Sequence, residues 1–75
     1  MKLTMYRREG CHLCDRAEEA LRGASVPDCE SIWLDWRGPL AERYGTRIPV
    51  LRREDTGAEL DWPFDPWTVR RFLGP

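Results

Sequence analysis

A chain of 75 residues, 41% hydrophobic and 33% charged, suits one small globular domain spanning residues 1–75; folding at this size hides only about 60 to 65% of the surface that the unfolded chain exposes. Twelve Lys and Arg against 13 Asp and Glu leave a net charge of −1, too little to gather phosphate backbones or anionic lipid, so neither nucleic acid nor a membrane is an expected partner. No stretch reaches the roughly 20 apolar residues that cross a bilayer, and the apolar run from Leu3 to Tyr6 is too short for a secretory signal. With an odd count of three cysteines, the expected setting is a reducing cytoplasm and the expected state a monomer.

The first element read from the chain is a strand over residues 2 to 7, "KLTMYR", closed by Glu9-Gly10. A helix follows, with Leu13, Ala17, Ala20, Leu21 and Ala24 on one face, Asp15, Arg16, Glu18, Glu19 and Arg22 on the other, and Gly23 as its stop. "CESIWLDW", bounded by Pro27 and Gly38, predicts a second strand around 29 to 35. "GPLAERYG" predicts a short helix with Pro39 at its first position and Gly45 at its end. "RIPVLRR" is a third strand, "EDTG" a hairpin turn and "AELDW" a fourth strand. "DPWTVRRFL" is a last helix capped by Asp65 and opened by Pro66. The order β-α-β-α-β-β-α implies a parallel crossover followed by an antiparallel hairpin, hence an α/β fold with a four-stranded mixed sheet and helices on both faces.

Chemistry concentrates in "REGCHLCDRAEEALRG", where Cys11 and Cys14 are a redox pair, part of a metal site, or two small core residues. Residues three apart on a helix face the same way, so the two sulfurs are within reach of a bridge. The first turn also offers unpaired amides and the positive end of the helix dipole, which lower a cysteine pKa from about 8.5. Cys11, at the cap, is the expected attacking thiolate, and Cys14, one turn in, the expected resolving thiol. His12 favours the thiolate when protonated, while Asp15 opposes it. A zinc site of Cys11, Cys14, Cys29 and His12 has suitable ligand types, but there is no second CxxC and no second histidine, so no metal is assigned. Cys29 reads as a small buried hydrophobe.

The other signal is "GTRIPVL", which places Pro49 at the start of a central strand, where proline cannot donate to the ladder. Together "REGCHLCDRAEEALR", "ERYGTRIPVL" and "ELDWPFD" resemble the small glutaredoxin-like domain family of the thioredoxin superfamily. The resemblance covers most of the chain. It implies a thioredoxin-like fold, Cys11 as nucleophile, Cys14 as resolving thiol, Pro49 as a cis-proline facing them, and Ile48 as the backbone contact for an extended substrate. It implies a thiol-disulfide oxidoreductase that acts on a protein or small-molecule disulfide, holds no bound cofactor, and is recycled by glutathione or a thioredoxin-reductase system.

Departures from that pattern are specific. His12-Leu13 stands where glutaredoxins usually carry Pro-Tyr, and "DWPFD" lacks the Gly-Gly segment that grips glutathione, which predicts poor coupling to glutathione. The N-terminus of the last helix, at Asp65, still suits a carboxylate. Arg47, two residues before Pro49, is a candidate to attract a substrate carboxylate or to lower the Cys11 pKa. Trp62 and Phe64 are candidates for apolar contact with a partner. The remaining tryptophans read as core filling, and the paired arginines, Arg7-Arg8 among them, as solvated surface. The alternatives to an enzyme are a metal or iron-sulfur carrier and a non-redox thioredoxin-like adaptor.

Overall fold

The computed structural model describes residues 2–26, 29–35 and 38–74. Its elements are β1 (Leu3–Arg7), α1 (His12–Gly23), β2 (Glu30–Trp33), α2 (Pro39–Tyr44), β3 (Val50–Arg53), β4 (Glu59–Asp61) and α3 (Pro66–Leu73). This is the expected order, with strands trimmed by one to three residues at their ends. Pro27 and Trp36, used above as a strand boundary and a core candidate, lie outside the described residues. Among the described residues no helix is long and apolar enough to cross a membrane.

The sheet runs β2-β1-β3-β4, with β1 parallel to β2 and the two other pairings antiparallel. β1 is therefore central and covered on both faces, which is why all five of its residues are buried. Leu3 and Met5 share one core with Leu51, Ala17, Ala20 and Leu21 of α1 and Val69 of α3. Tyr6 points to the other face, where Val50, Leu34 and Tyr44 of α2 enclose it. The Tyr6 and Tyr44 rings stack with centroids 4.1 Å apart.

Three expectations change. Alternation along β1 puts Arg7 on the same face as Leu3 and Met5, so it is a buried arginine, 6% exposed, and not part of a solvated pair. Trp33 and Trp67 do not fill the core: they are 54% and 65% exposed, because Trp33 lies on the edge strand and Trp67 on the outer side of α3. The sheet-facing stripe of α1 begins at Cys14, leaving Leu13 exposed.

Gly23 does not supply the left-handed residue that ends α1. It is the last helical residue, and Ser25 takes the positive φ of 59°. The Ser25 amide bonds the Arg22 carbonyl at 2.9 Å and the Val26 amide bonds the Leu21 carbonyl at 3.1 Å, the paired closure of a Schellman motif. Gly23 is small for another reason: a Cβ there would lie 2.6 Å from Pro66 Cγ. α1 and α3 cross at this point, and the Arg70 guanidinium donates to the Gly23 carbonyl at 2.9 Å.

Candidate functional site: a cysteine pair at a helix N-terminus

β1 ends at Arg7, and the chain turns back into α1 through a short loop in which Gly10 has φ +70°, a conformation that side-chain-bearing residues resist. Cys11 follows as the N-cap in an extended conformation, and its sulfur accepts the Cys14 amide at 3.1 Å. One of the helix's unpaired first-turn donors is thereby aimed at sulfur. Cys11 is half-buried, and Cys14 fully buried against the sheet. Their Cα atoms are 5.2 Å apart and their sulfurs are joined in a disulfide. His12 and Leu13, between them, face solvent.

Asp15, the negative charge closest in sequence to the pair, is turned toward Arg7, whose guanidinium lies 3.4 Å from its carboxylate and 3.2 Å from that of Glu18. Arg7 is further covered by the Trp33 ring, whose centroid is 4.5 Å away. Asp15 thus carries a neutralising partner that the sequence pattern did not reveal. Alternation along β1 signals only that Arg7 shares a face with Leu3 and Met5; which acids meet it there is decided by how α1 packs.

The strand register brings the distant part of the site to the same place. Arg7 pairs with Trp33, and continuing the β1–β3 and β3–β4 registers by one residue sets Pro49 opposite Arg7 and Trp62 opposite Pro49. Trp33, Arg7, Pro49 and Trp62 therefore form a row across the sheet at the end where β1 feeds the loop to Cys11. The Ile48–Pro49 peptide bond is cis, as is Trp62–Pro63. Pro49 is fully buried; its carbonyl accepts the Trp62 amide at 3.2 Å. The Ile48 amide donates to the Tyr44 carbonyl at 3.0 Å. Trp62 is half-buried and meets Phe64 edge to face at 5.1 Å between centroids. Phe64 is itself a core residue, 5% exposed, and so cannot present its ring to a partner.

Arg47 does not stand alone beside Pro49. Its guanidinium forks onto Asp61 at 2.7 and 3.1 Å and bonds Glu59 at 2.9 Å. Glu59 also accepts from the Tyr44 hydroxyl and, at 3.1 Å, from Arg52. Burial alone would push the Glu59 carboxyl up, but the donors Tyr44, Arg47 and Arg52 hold it down at about 2. The same burial, then the bond to Glu59, pushes the Tyr44 hydroxyl up to about 12.

Cys29 lies just ahead of β2, half-buried beside the main core. Burial pushes its thiol up to about 11, with Arg7 opposing. Among the described residues no group of three or more His, Cys, Asp and Glu side chains is gathered to hold a metal ion.

A four-stranded mixed sheet between helices, with a disulfide at the N-terminus of α1 and Pro49 at the same sheet end, defines a thioredoxin-like protein with a CxxC pair. The family described as "Glutaredoxin-like domain (DUF836)" matches residues 2–74, and the chain belongs to it. It is similar to the structural genomics target protein XcR50 from X. campestris, with 48% identity. The X-ray structure of XcR50 has a TM-score of 0.89, covering 95% of this chain and 93% of that one. Its solution structure has a TM-score of 0.87, covering 97% and 92%. The solution structure of protein Ne2328 from Nitrosomonas europaea is 32% identical, with a TM-score of 0.76 over 95% of this chain and 88% of that one. No functionally curated protein matches.

Proposed function

We propose that the protein is a dithiol thiol-disulfide oxidoreductase. The observation that carries this reading is the Cys11 sulfur: it caps α1, receives the Cys14 amide and is bonded to Cys14. In the reduced protein the same amide and helix end favour a thiolate at position 11. That thiolate attacks one sulfur of a substrate disulfide, the substrate S–S bond breaks, and the leaving sulfur departs as a thiolate that takes a proton from water. Cys14 then gives up its proton and attacks the Cys11 sulfur of the mixed disulfide, releasing the second substrate thiol. The substrate has gained two electrons and two protons, and Cys11–Cys14 is left oxidised.

The substrate on this reading is a disulfide in an extended polypeptide laid along Ile48 and Pro49, with Trp62 beside it. Because the Ile48 amide is taken by Tyr44, the Ile48 carbonyl is the group that pairs with an incoming amide. Exposed His12 acts on the thiolate only through its charge, and Arg47 acts near the substrate while held by Asp61 and Glu59. Recycling falls to an external thiol system in the cytoplasm, and the lack of a Gly-Gly segment in "DWPFD" points away from glutathione and toward a thioredoxin-reductase system. The protein works as a monomer, without nucleic acid, membrane or bound metal.

The test is a cycle of reduction and mild oxidation followed by mass spectrometry. A reversible loss of two hydrogens is expected, and it should vanish in both Cys11→Ser and Cys14→Ser; a reduced protein that never loses them sinks the proposal. Turnover with glutathione and its reductase, set against turnover with thioredoxin reductase, then separates the two recycling systems.

A further inference from the structure

The segment from Tyr44 to Pro49 is held at each end and in the middle. The Tyr44 carbonyl accepts the Arg47 and Ile48 amides at 2.8 and 3.0 Å, and the Pro49 carbonyl accepts from Trp62. Between them, one carboxylate gathers the segment's side chains: Glu59 takes the Tyr44 hydroxyl and the Arg47 guanidinium, and is itself steadied by Arg52. Asp61, two residues along β4 on the same face, holds the other edge of Arg47. Arg47 directly precedes Ile48, so anchoring its side chain on Glu59 and Asp61 restrains the chain that leads into Ile48. Glu59 opens the edge strand β4, on the face where Tyr44 stacks on Tyr6, and is 17% exposed at its side chain. It is well placed to hold this segment, its carboxylate being taken up by Tyr44, Arg47 and Arg52.

We infer that Glu59 is a positioning residue: through Tyr44 and Arg47 it fixes the Ile48 carbonyl in the place where a polypeptide substrate pairs with it, without touching the reacting sulfurs. This rests on the oxidoreductase reading and deepens it. Binding energy from a docked backbone counts only if the receiving group is already in place, and small displacements of such groups are costly in rate. A small disulfide with no peptide backbone makes no such bond. Loss of Glu59 therefore discriminates between substrates, whereas a general loosening of the fold affects both alike.

The experiment measures the second-order rate at which fully reduced protein reacts with a cystine-bridged peptide and with hydroxyethyl disulfide, well below the unfolding temperature and without a recycling system. In Glu59→Gln the peptide rate is expected to fall about tenfold and the hydroxyethyl disulfide rate to stay within about twofold. Tyr44→Phe, which keeps the ring stacked on Tyr6 and removes only the hydroxyl bond to Glu59, gives a second variant; it should show the same split. The double variant should be little worse than either single one, because both act through one linkage. Equal effects on the two disulfides, or none on the peptide, in folded variants overturn this inference alone. Wild-type protein inert toward both disulfides overturns the oxidoreductase reading and this inference with it.

Discussion

The Cys14 amide and the Cys11 sulfur are 3.1 Å apart, so one atom serves both as the cap of α1 and as half of the disulfide. Stability and chemistry at position 11 are therefore separable by the choice of substitution. Serine is a strong N-cap, whereas alanine offers no acceptor. With the disulfide reduced, Cys11→Ala should be less stable than Cys11→Ser by about 0.5–2 kcal/mol in urea unfolding, although both lack disulfide exchange. Equal stabilities would show that α1 draws nothing from a side-chain cap at position 11.

Closure of α1 leads to a second prediction. Ser25 occupies the left-handed C′ position of a Schellman motif, where glycine carries no steric penalty. Ser25→Gly should stabilise the protein by about 0.5–1 kcal/mol, the loss of unfolded-state restriction being the smaller effect. A lowered denaturation midpoint would contradict the assigned backbone geometry.

Where α1 meets α3, Gly23→Ala adds a Cβ 2.6 Å from Pro66 Cγ, an atom of a rigid ring. The gain in helix propensity, about 1 kcal/mol, is opposed by overpacking of about 1–3 kcal/mol. A net loss of stability is expected, and Pro66→Ala in the same chain should reverse most of it. Additive losses in the double variant would place the strain elsewhere.

Glu59 carries the main acid-sensitive pairing on the α2 side of the sheet. Its carboxyl goes from an ordinary 4.5 to about 2 in the folded protein, held there against burial by Tyr44, Arg47 and Arg52. A folded value below the unfolded one means that this stabilisation is complete above about pH 4.5 and is lost as pH falls toward 2. Denaturation midpoints measured across that window should fall steeply in the wild type and less steeply in Glu59→Gln.

Cys29 should be a bystander. Its thiol, pushed up to about 11 by burial against an ordinary value of 9.0, carries about a hundredfold less thiolate near neutral pH than an exposed cysteine. With Cys11–Cys14 oxidised, iodoacetamide at pH 7 should leave Cys29 largely unmodified by mass, and Cys29→Ser should leave exchange rates unchanged. Rapid alkylation would show that the thiol is more open than its packing indicates.

Much of this protein was legible in one dimension, because the signals involved are local. Strand and helix order followed from apolar spacing and from Gly and Pro at the boundaries, the Asp65 cap and Pro66 start of α3 are short-range chemistry, and the placement of Cys11 and Cys14 at a helix start needed only the turn before it. What the sequence could not show depended on partners far apart in the chain. Arg7 and Glu59 look like ordinary charged residues until the sheet register sets one under α1 beside Asp15, Glu18 and Trp33, and the other among Tyr44, Arg47 and Arg52. Spacing along a chain sets which groups lie on one face, but only tertiary packing decides which charges leave water together. That is why the site's cysteines were found by reading and its ionic supports only by folding.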